Sequence, residues 1–273
     1  MELVQEIRKP KSINPRMQLL YSIPKAGKTT LCSLLEDHLI LELETGGADY
    51  ISGRVQEINK VKEFNETLDA IKNSTTKVCK YLIVDTATKL DEYSELVGTY
   101  NYMNKAQGQK FNRENGDPNG KLITHIDKRF ETVHEIPNGY GYQHSRQVMI
   151  EWYDKLLELV ALDKVEYIIL LAHVKDKLIE TKNGDTVEHI DINLTGKVKS
   201  IYSVRVDALG HIKRIDNKCY INYSNNEKII SGGRCSHLNG EFLISEKLEN
   251  GTIKSYWDKV YLPILEKKSS KTN

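Results

Sequence analysis

Eight consecutive residues, Ser22-Ile23-Pro24-Lys25-Ala26-Gly27-Lys28-Thr29, have the makings of a loop that holds phosphate. A glycine directly before a lysine lets the backbone close round an anion with no Cβ in the way. The lysine ammonium can reach β- and γ-oxygens, and the hydroxyl residue after it is a ligand for Mg2+. With Thr30 added, the candidate cofactor-binding set is Ser22, Pro24, Lys25, Ala26, Gly27, Lys28, Thr29 and Thr30. The usual pattern, G-x-x-x-x-G-K-[ST], begins with glycine, and here Ser22 takes that place. Serine is the harder fit if the position needs positive φ, while the half of the loop that cradles phosphate is intact.

Two sets of carboxylates follow. Tyr81-Leu82-Ile83-Val84-Asp85-Thr86 is an apolar run ending in an acid, which suits Asp85 to the water shell of a nucleotide's magnesium, with Thr29 as the second metal-site residue. Thr86 either bonds the attacking water or caps the next helix. Glu42 and Glu44 close the run Leu39 to Glu44 before Thr45-Gly46-Gly47, and a glycine turn there can bring a carboxylate to a γ-phosphate. A carboxylate is ionised at neutral pH and orients water for in-line attack. Glu44, nearer the tip, is the expected base; Glu42 orients it or faces solvent. His173 closes the apolar run Tyr167 to Ala172, where a polar side chain can register the γ-phosphate or simply be hydrogen-bonded. The expected catalytic set is thus Lys28, Glu44, Asp85 and His173.

Elements of alternating type must position these groups. Met17 to Tyr21 reads as a strand, Thr29 to Leu35 as a helix, and His38 to Leu43 as a second strand. Apolar residues at 55, 58, 61, 64, 68 and 71 predict a helix over 55–72, followed by a strand over 78–84 and a helix to about Met103. A further helix is expected from Ser145 to Leu162, then a strand from Tyr167 to Ala172. Continuously apolar strands alternating with helices imply an α/β fold with a mostly parallel sheet covered by helices. Beyond His173 a turn at Asn183-Gly184-Asp185 and short alternating segments (203–209, 211–215, 218–223) suggest antiparallel hairpins at the sheet edge, with Arg214 to Lys218 as a tight connection. The expected organisation is a lead-in over 1–16 and an ATP-binding domain over 17–250 carrying an insertion at 104–142. A C-terminal helix from about Ile253 to Lys267, with its tail, completes it over 251–273.

Composition bounds the rest. Thirty-nine basic and 38 acidic residues in a chain of 273 neither demand nor forbid a nucleic-acid partner, so any such partner must meet a local patch. Met1 to Glu6 has no secretory-signal pattern and no stretch approaches about 20 apolar residues, which predicts a soluble, cytoplasmic protein with no membrane partner. The four cysteines, Cys32, Cys79, Cys219 and Cys235, have no metal-ligand spacing and read as small apolar residues.

Taken together, Leu19 to Thr30, Leu41 to Gly47, Leu82 to Thr86 and Leu170 to His173 resemble the RecA-like branch of P-loop ATPases. The resemblance is closest to a phage-encoded AAA-domain group related to single-strand annealing recombinases, and it covers about residues 14 to 245. It implies ATP and Mg2+ as cofactors, Glu44 as the residue that activates water, and His173 as the coupling between nucleotide state and DNA-facing loops. It also implies a homo-oligomer acting on single-stranded DNA with phage or host recombination and replication proteins. The insertion suits that partner in part. Seven basic residues between Gly98 and Gln147, Arg146 among them, are interleaved with Tyr100, Tyr102, Phe111, Phe130, Tyr140 and Tyr142, and five acids leave the window near +2. After His173, Lys175, Lys177, Lys182, Lys197 and Lys199 alternate with acids. Arg234, after Gly232-Gly233, is either an arginine finger for a neighbouring subunit or a structural ion pair. A nucleotide-switched scaffold or packaging accessory without DNA is the rival expectation, and a small-molecule kinase a third.

Overall fold

In the computed structural model, residues 12–106, 139–180, 186–226 and 228–263 are described, together with Gly108, Val133 and Ile136. Their strands form one sheet. Its parallel core consists of β3 (Arg54–Glu57), β2 (His38–Glu42), β4 (Cys79–Asp85), β5 (Val165–Glu180), β1 (Met17–Ser22) and β7 (Ala208–Ile215), in that spatial order. An antiparallel edge continues through β8 (Lys218–Asn222), β10 (Glu241–Lys247) and β11 (Ile253–Ser255). The expected α/β class, a mostly parallel sheet with antiparallel strands at its edge, is the architecture found. Two short pairings complete it, β6 (Thr186–Ile192) on the far half of β5 and β9 (Gly232–Gly233) on β7.

Side-chain alternation sorts the strands between two cores. Leu19, Tyr21, Leu82, Val84, Ile168 and Leu170 point to one face, while Leu20, Ile83, Ile169 and Leu171 point to the other, and all are buried. Four helices cover the first face: α2 (Val61–Asn73), α3 (Ala87–Met103), α4 (Tyr140–Ala161) and α5 (Gly196–Arg205). Helices α3 and α4 cross closely at Gly98, where a Cβ would stand 2.5 Å from the Ser145 amide nitrogen, so any side chain there would force them apart. The second face is covered by the short α1 (Lys28–Cys32) and by Trp257, Val260 and Tyr261. The Trp257 indole donates to the Leu31 carbonyl at 2.8 Å, which fastens the C-terminal segment over α1.

Several boundaries differ from the sequence reading. The helix expected over 55–72 starts only at Val61, because residues 54–57 pair with β2 as an edge strand. The helix after the phosphate loop ends at Cys32, and the one expected from Ser145 begins at Tyr140. Strand β5 runs well past Ala172, since its second half gains a new partner in β6. Ser203 to Arg205 belong to α5 rather than to a strand, and β7 starts at Ala208. The C-terminal helix expected from Ile253 is instead strand β11 and a 3-10 turn at Trp257–Lys259, because Lys254 and its neighbours pair with β10. Residues 264–267 lie outside the described residues, as do the turn at 183–185 and most of the 104–142 insertion. No helix among the described residues is long and apolar enough to cross a membrane.

Candidate active site

Parallel strands deliver their C-terminal ends to one edge of the sheet, and every expected catalytic residue sits there. Ser22 is the last residue of β1 and lies beside His173 of β5, while Asp85 ends β4 beside Glu42 of β2. Strand β5 therefore stands between the strand leading into the phosphate loop and the strand ending in Asp85. That order sets His173 between the two halves of the site.

The loop itself turns through left-handed backbone at Lys25 (φ 62°) and Gly27 (φ 90°). Ser22 does not need positive φ: it is fully buried, extended strand, so serine in place of glycine carries no backbone strain. Lys28 is also buried. Its Nζ lies 3.3 Å from Ser22 Oγ, 3.2 Å from the Ile23 carbonyl and 3.3 Å from His173 Nδ1. Burial lowers the pKa of this ammonium, and the nearby charges of Asp85 and Glu44 oppose that shift. Pro24, Lys25, Ala26 and Thr30 complete the loop and the first turn of α1. Ala26 is buried against Cys219, whose Sγ is 4.0 Å from its carbonyl oxygen.

On the far side, Thr29 Oγ1 donates to Asp85 Oδ2 at 2.6 Å. Asp85 is only 6% exposed, and burial raises its pKa although the Thr29 bond and Lys28 favour the charged form. A desolvated carboxylate held against a hydroxyl, with no cation bonded to it among the described residues, fits Mg2+. Among the described residues no group of three or more His, Cys, Asp or Glu could hold a metal alone. That donor set matches an ion which keeps waters and takes most other ligands from phosphate.

The same burial makes a prediction. An acid whose folded-state pKa exceeds its unfolded value costs stability when ionised, and the cost vanishes below the unfolded value. Asp85→Asn keeps an acceptor for Thr29 and removes the charge. It should raise stability at neutral pH by on the order of 1 kcal/mol, or about 2–4 °C in Tm, while hydrolysis is lost. The gain should disappear as pH falls below about 4. Thermal melts at pH 7 and pH 3.5 check this; a lower Tm at pH 7 would contradict it.

Glu44 and Glu42 separate cleanly. Glu42 Oε1 is buried and accepts the Ala48 amide at 2.6 Å, so it fastens the Gly46-Gly47-Ala48 turn. Glu44, half-exposed past the end of β2, faces the centre of the site. It accepts from Thr86 Oγ1 at 2.6 Å and meets His173 Nε2 at 3.0 and 3.1 Å through its two oxygens. The His173 bond is the main cause that holds the Glu44 pKa below the usual carboxylate value. A neutral imidazole with its proton on Nε2 satisfies both His173 contacts, donating to Glu44 and accepting from Lys28 on Nδ1. Thr86 caps α3, accepting from the Lys89 amide at 3.1 Å, and bonds Glu44 as well. The peptide between Asp85 and Thr86 is cis.

Three contributions were not singled out from the sequence. Thr88 Oγ1 accepts the His173 amide at 3.0 Å, the Asn193 amide donates to the His173 carbonyl at 2.9 Å, and Arg214 lies beside Gly27. Only position in the folded chain marks them. Arg234 is placed away from the loop. Its guanidinium bonds the Val204 and Arg205 carbonyls at the end of α5 and lies 3.5 Å from Asp207, a structural staple. All four cysteines are free, three of them buried.

Comparison with known proteins adds a family. The family model described as an AAA domain matches residues 14–235. No curated protein matches the sequence. Among solved structures, the crystal structure of the RadB recombinase aligns with a TM-score of 0.45 and 10% identity, over 89% of this chain and 92% of that one.

Proposed function

The chain belongs to the AAA-domain family, and from that premise we propose that it binds ATP with Mg2+ at the phosphate loop and hydrolyses it in support of DNA recombination or replication. The observation that carries the hydrolysis is the meeting of Lys28, Glu44 and Asp85 at one edge of the sheet, with His173 bonded to the first two. In this reading the loop amides and Lys28 hold the β- and γ-phosphates. Thr29 and Asp85 would hold Mg2+, which would supply charge neutralisation for the phosphates. Glu44, kept ionised by His173 and Thr86, orients a water and takes its proton as the water oxygen bonds to the γ-phosphorus. The bond from that phosphorus to the β–γ bridging oxygen breaks, releasing ADP and phosphate.

Single-stranded DNA as partner rests on a separate cleft of about 680 Å3, lined by Arg146, Lys175, Lys197, Tyr142 and Asn193 among others. Cations for phosphates and a ring for a base are what a single strand requires, although Glu95 in the same wall offsets part of the charge. Asn193 links this cleft to His173 by one peptide hydrogen bond. A strand seated there could thus reach the hydrolytic centre through its backbone. Homo-oligomerisation belongs to the same reading.

ATPase rates with and without single-stranded DNA test it. The expected result is stimulation of several-fold, lost with most of the DNA affinity in Arg146→Ala/Lys197→Ala, which keeps the unstimulated rate. A rate indifferent to DNA would remove the DNA half of the proposal, leave hydrolysis standing, and favour a nucleotide-switched scaffold or packaging accessory.

A further inference from the structure

We propose that Arg214, in the β7–β8 hairpin, is a nucleotide-binding residue whose guanidinium holds the phosphates that stay with the nucleoside, so that ATP and ADP depend on it alike. The inference rests on the reading of the loop as a nucleotide site.

Arg214 Nη1 lies 3.6 Å from the position a Cβ on Gly27 would occupy. Glycine there leaves the loop backbone open on the side that faces the guanidinium. Among the described residues no carboxylate pairs with Arg214; its Nε donates to the Asp216 carbonyl at 3.3 Å within its own turn. That turn is fixed rather than loose. The Lys247 amide donates to the Asn217 carbonyl at 2.8 Å, and Cys219, on the returning strand, packs against the Ala26 carbonyl. Arg214 and Lys247 together line a small cleft with Gly27, Thr30 and Asn217.

The charges round the loop are one-sided. Lys25 and Lys28 lie in it, and Arg214 and Lys247 stand over its outer flank. The acids of the site, Asp85 and Glu44, are bonded to Thr29 and Thr86 on the opposite flank. Arg214 and Lys247 line one cleft, and two cations on one wall favour an anion arriving between them. The flank also says which phosphate. The reacting end of the nucleotide belongs where Lys28, Glu44, Asp85 and His173 converge, so the side of Gly27 and Thr30 faces the part that is not transferred. A planar, always-charged guanidinium suits a bidentate grip on phosphate oxygens there.

Binding of ADP and of a nonhydrolysable ATP analogue to wild type, Arg214→Ala, Arg214→Lys and Lys28→Ala, measured by calorimetry, tests this. Arg214→Ala should weaken both ligands by a similar factor, about tenfold or more, with Arg214→Lys between it and wild type. Unchanged ADP affinity in Arg214→Ala, or an effect confined to the triphosphate, would overturn the assignment. If wild type bound neither ligand, the nucleotide reading itself would fail; if wild type bound both and only Arg214→Ala were neutral, the failure would be this inference alone.

Discussion

Glu44→Gln should bind ATP with near-normal affinity and turn it over at least a hundredfold more slowly. The amide keeps the size of the side chain and an oxygen to accept from Thr86, so the strand end and the Gly46-Gly47 turn, which is fastened by Glu42, stay in place. What it loses is the charge that accepts a proton, worth typically 10²–10⁴ in rate for a positioned base. It also loses one of the two carboxylate oxygens that face His173 Nε2. Because the His173 bond holds the Glu44 pKa down, the base is ionised from the low end of the carboxylate range upward. Glu44 should therefore impose no acid limb on the rate near neutral pH. Single-turnover rates and nucleotide binding, measured side by side, separate the two effects. Substantial residual turnover would move the base role to another group, and lost binding would mean that Glu44 shapes the loop.

Lys28→Ala should lose both binding and turnover. The ammonium is desolvated among the Ser22 hydroxyl, the Ile23 carbonyl and His173 Nδ1, and among the described residues it is the one cation buried at the centre of the site. Removing a preorganised donor to a developing charge costs about 10²–10³ in rate, and lost ground-state contact with the β- and γ-phosphates adds a weaker affinity. Lys28→Arg is a stricter trial of the geometry. The guanidinium keeps the charge but not the compact head that fits between those acceptors, so it should also be inactive. A Lys28→Arg enzyme near wild-type rate would show that charge alone suffices and that the tight fit round Nζ is incidental.

Asp85 ends β4, Glu44 lies two residues past β2, His173 stands where β5 passes the end of β1, and Lys28 opens the helix after β1, so the parallel strands bring all four candidates to one edge. Lys28, Asp85, Glu44 and His173 all meet as that logic requires. That Glu44 rather than Glu42 faces the centre of the site was legible only in part. Proximity to the strand tip favoured it, but the Ala48 amide that occupies Glu42 depends on a turn no spacing reveals. Short edge strands were the weak point. Val55 and Ile58 fit a helical period as well as a strand, and pairing with β2 decided the matter. Ile253 to Ser255 were likewise drawn into β11 by a neighbour that lies only a turn away. Arg214 and Asn193 were invisible for a different reason. Their roles come from what the hairpin and the α5 entry pack against, and nothing local in sequence marks such a neighbour.

A crystal structure of the protein with Mg2+ and a nonhydrolysable ATP analogue is the most direct trial of the whole account. The triphosphate should lie along residues 22–30, its γ-phosphate between Lys28 Nζ and the Glu44 carboxylate, and the metal should sit at Thr29 and Asp85. A nucleotide bound elsewhere, or a loop still closed on Lys28 at saturating analogue, would contradict it.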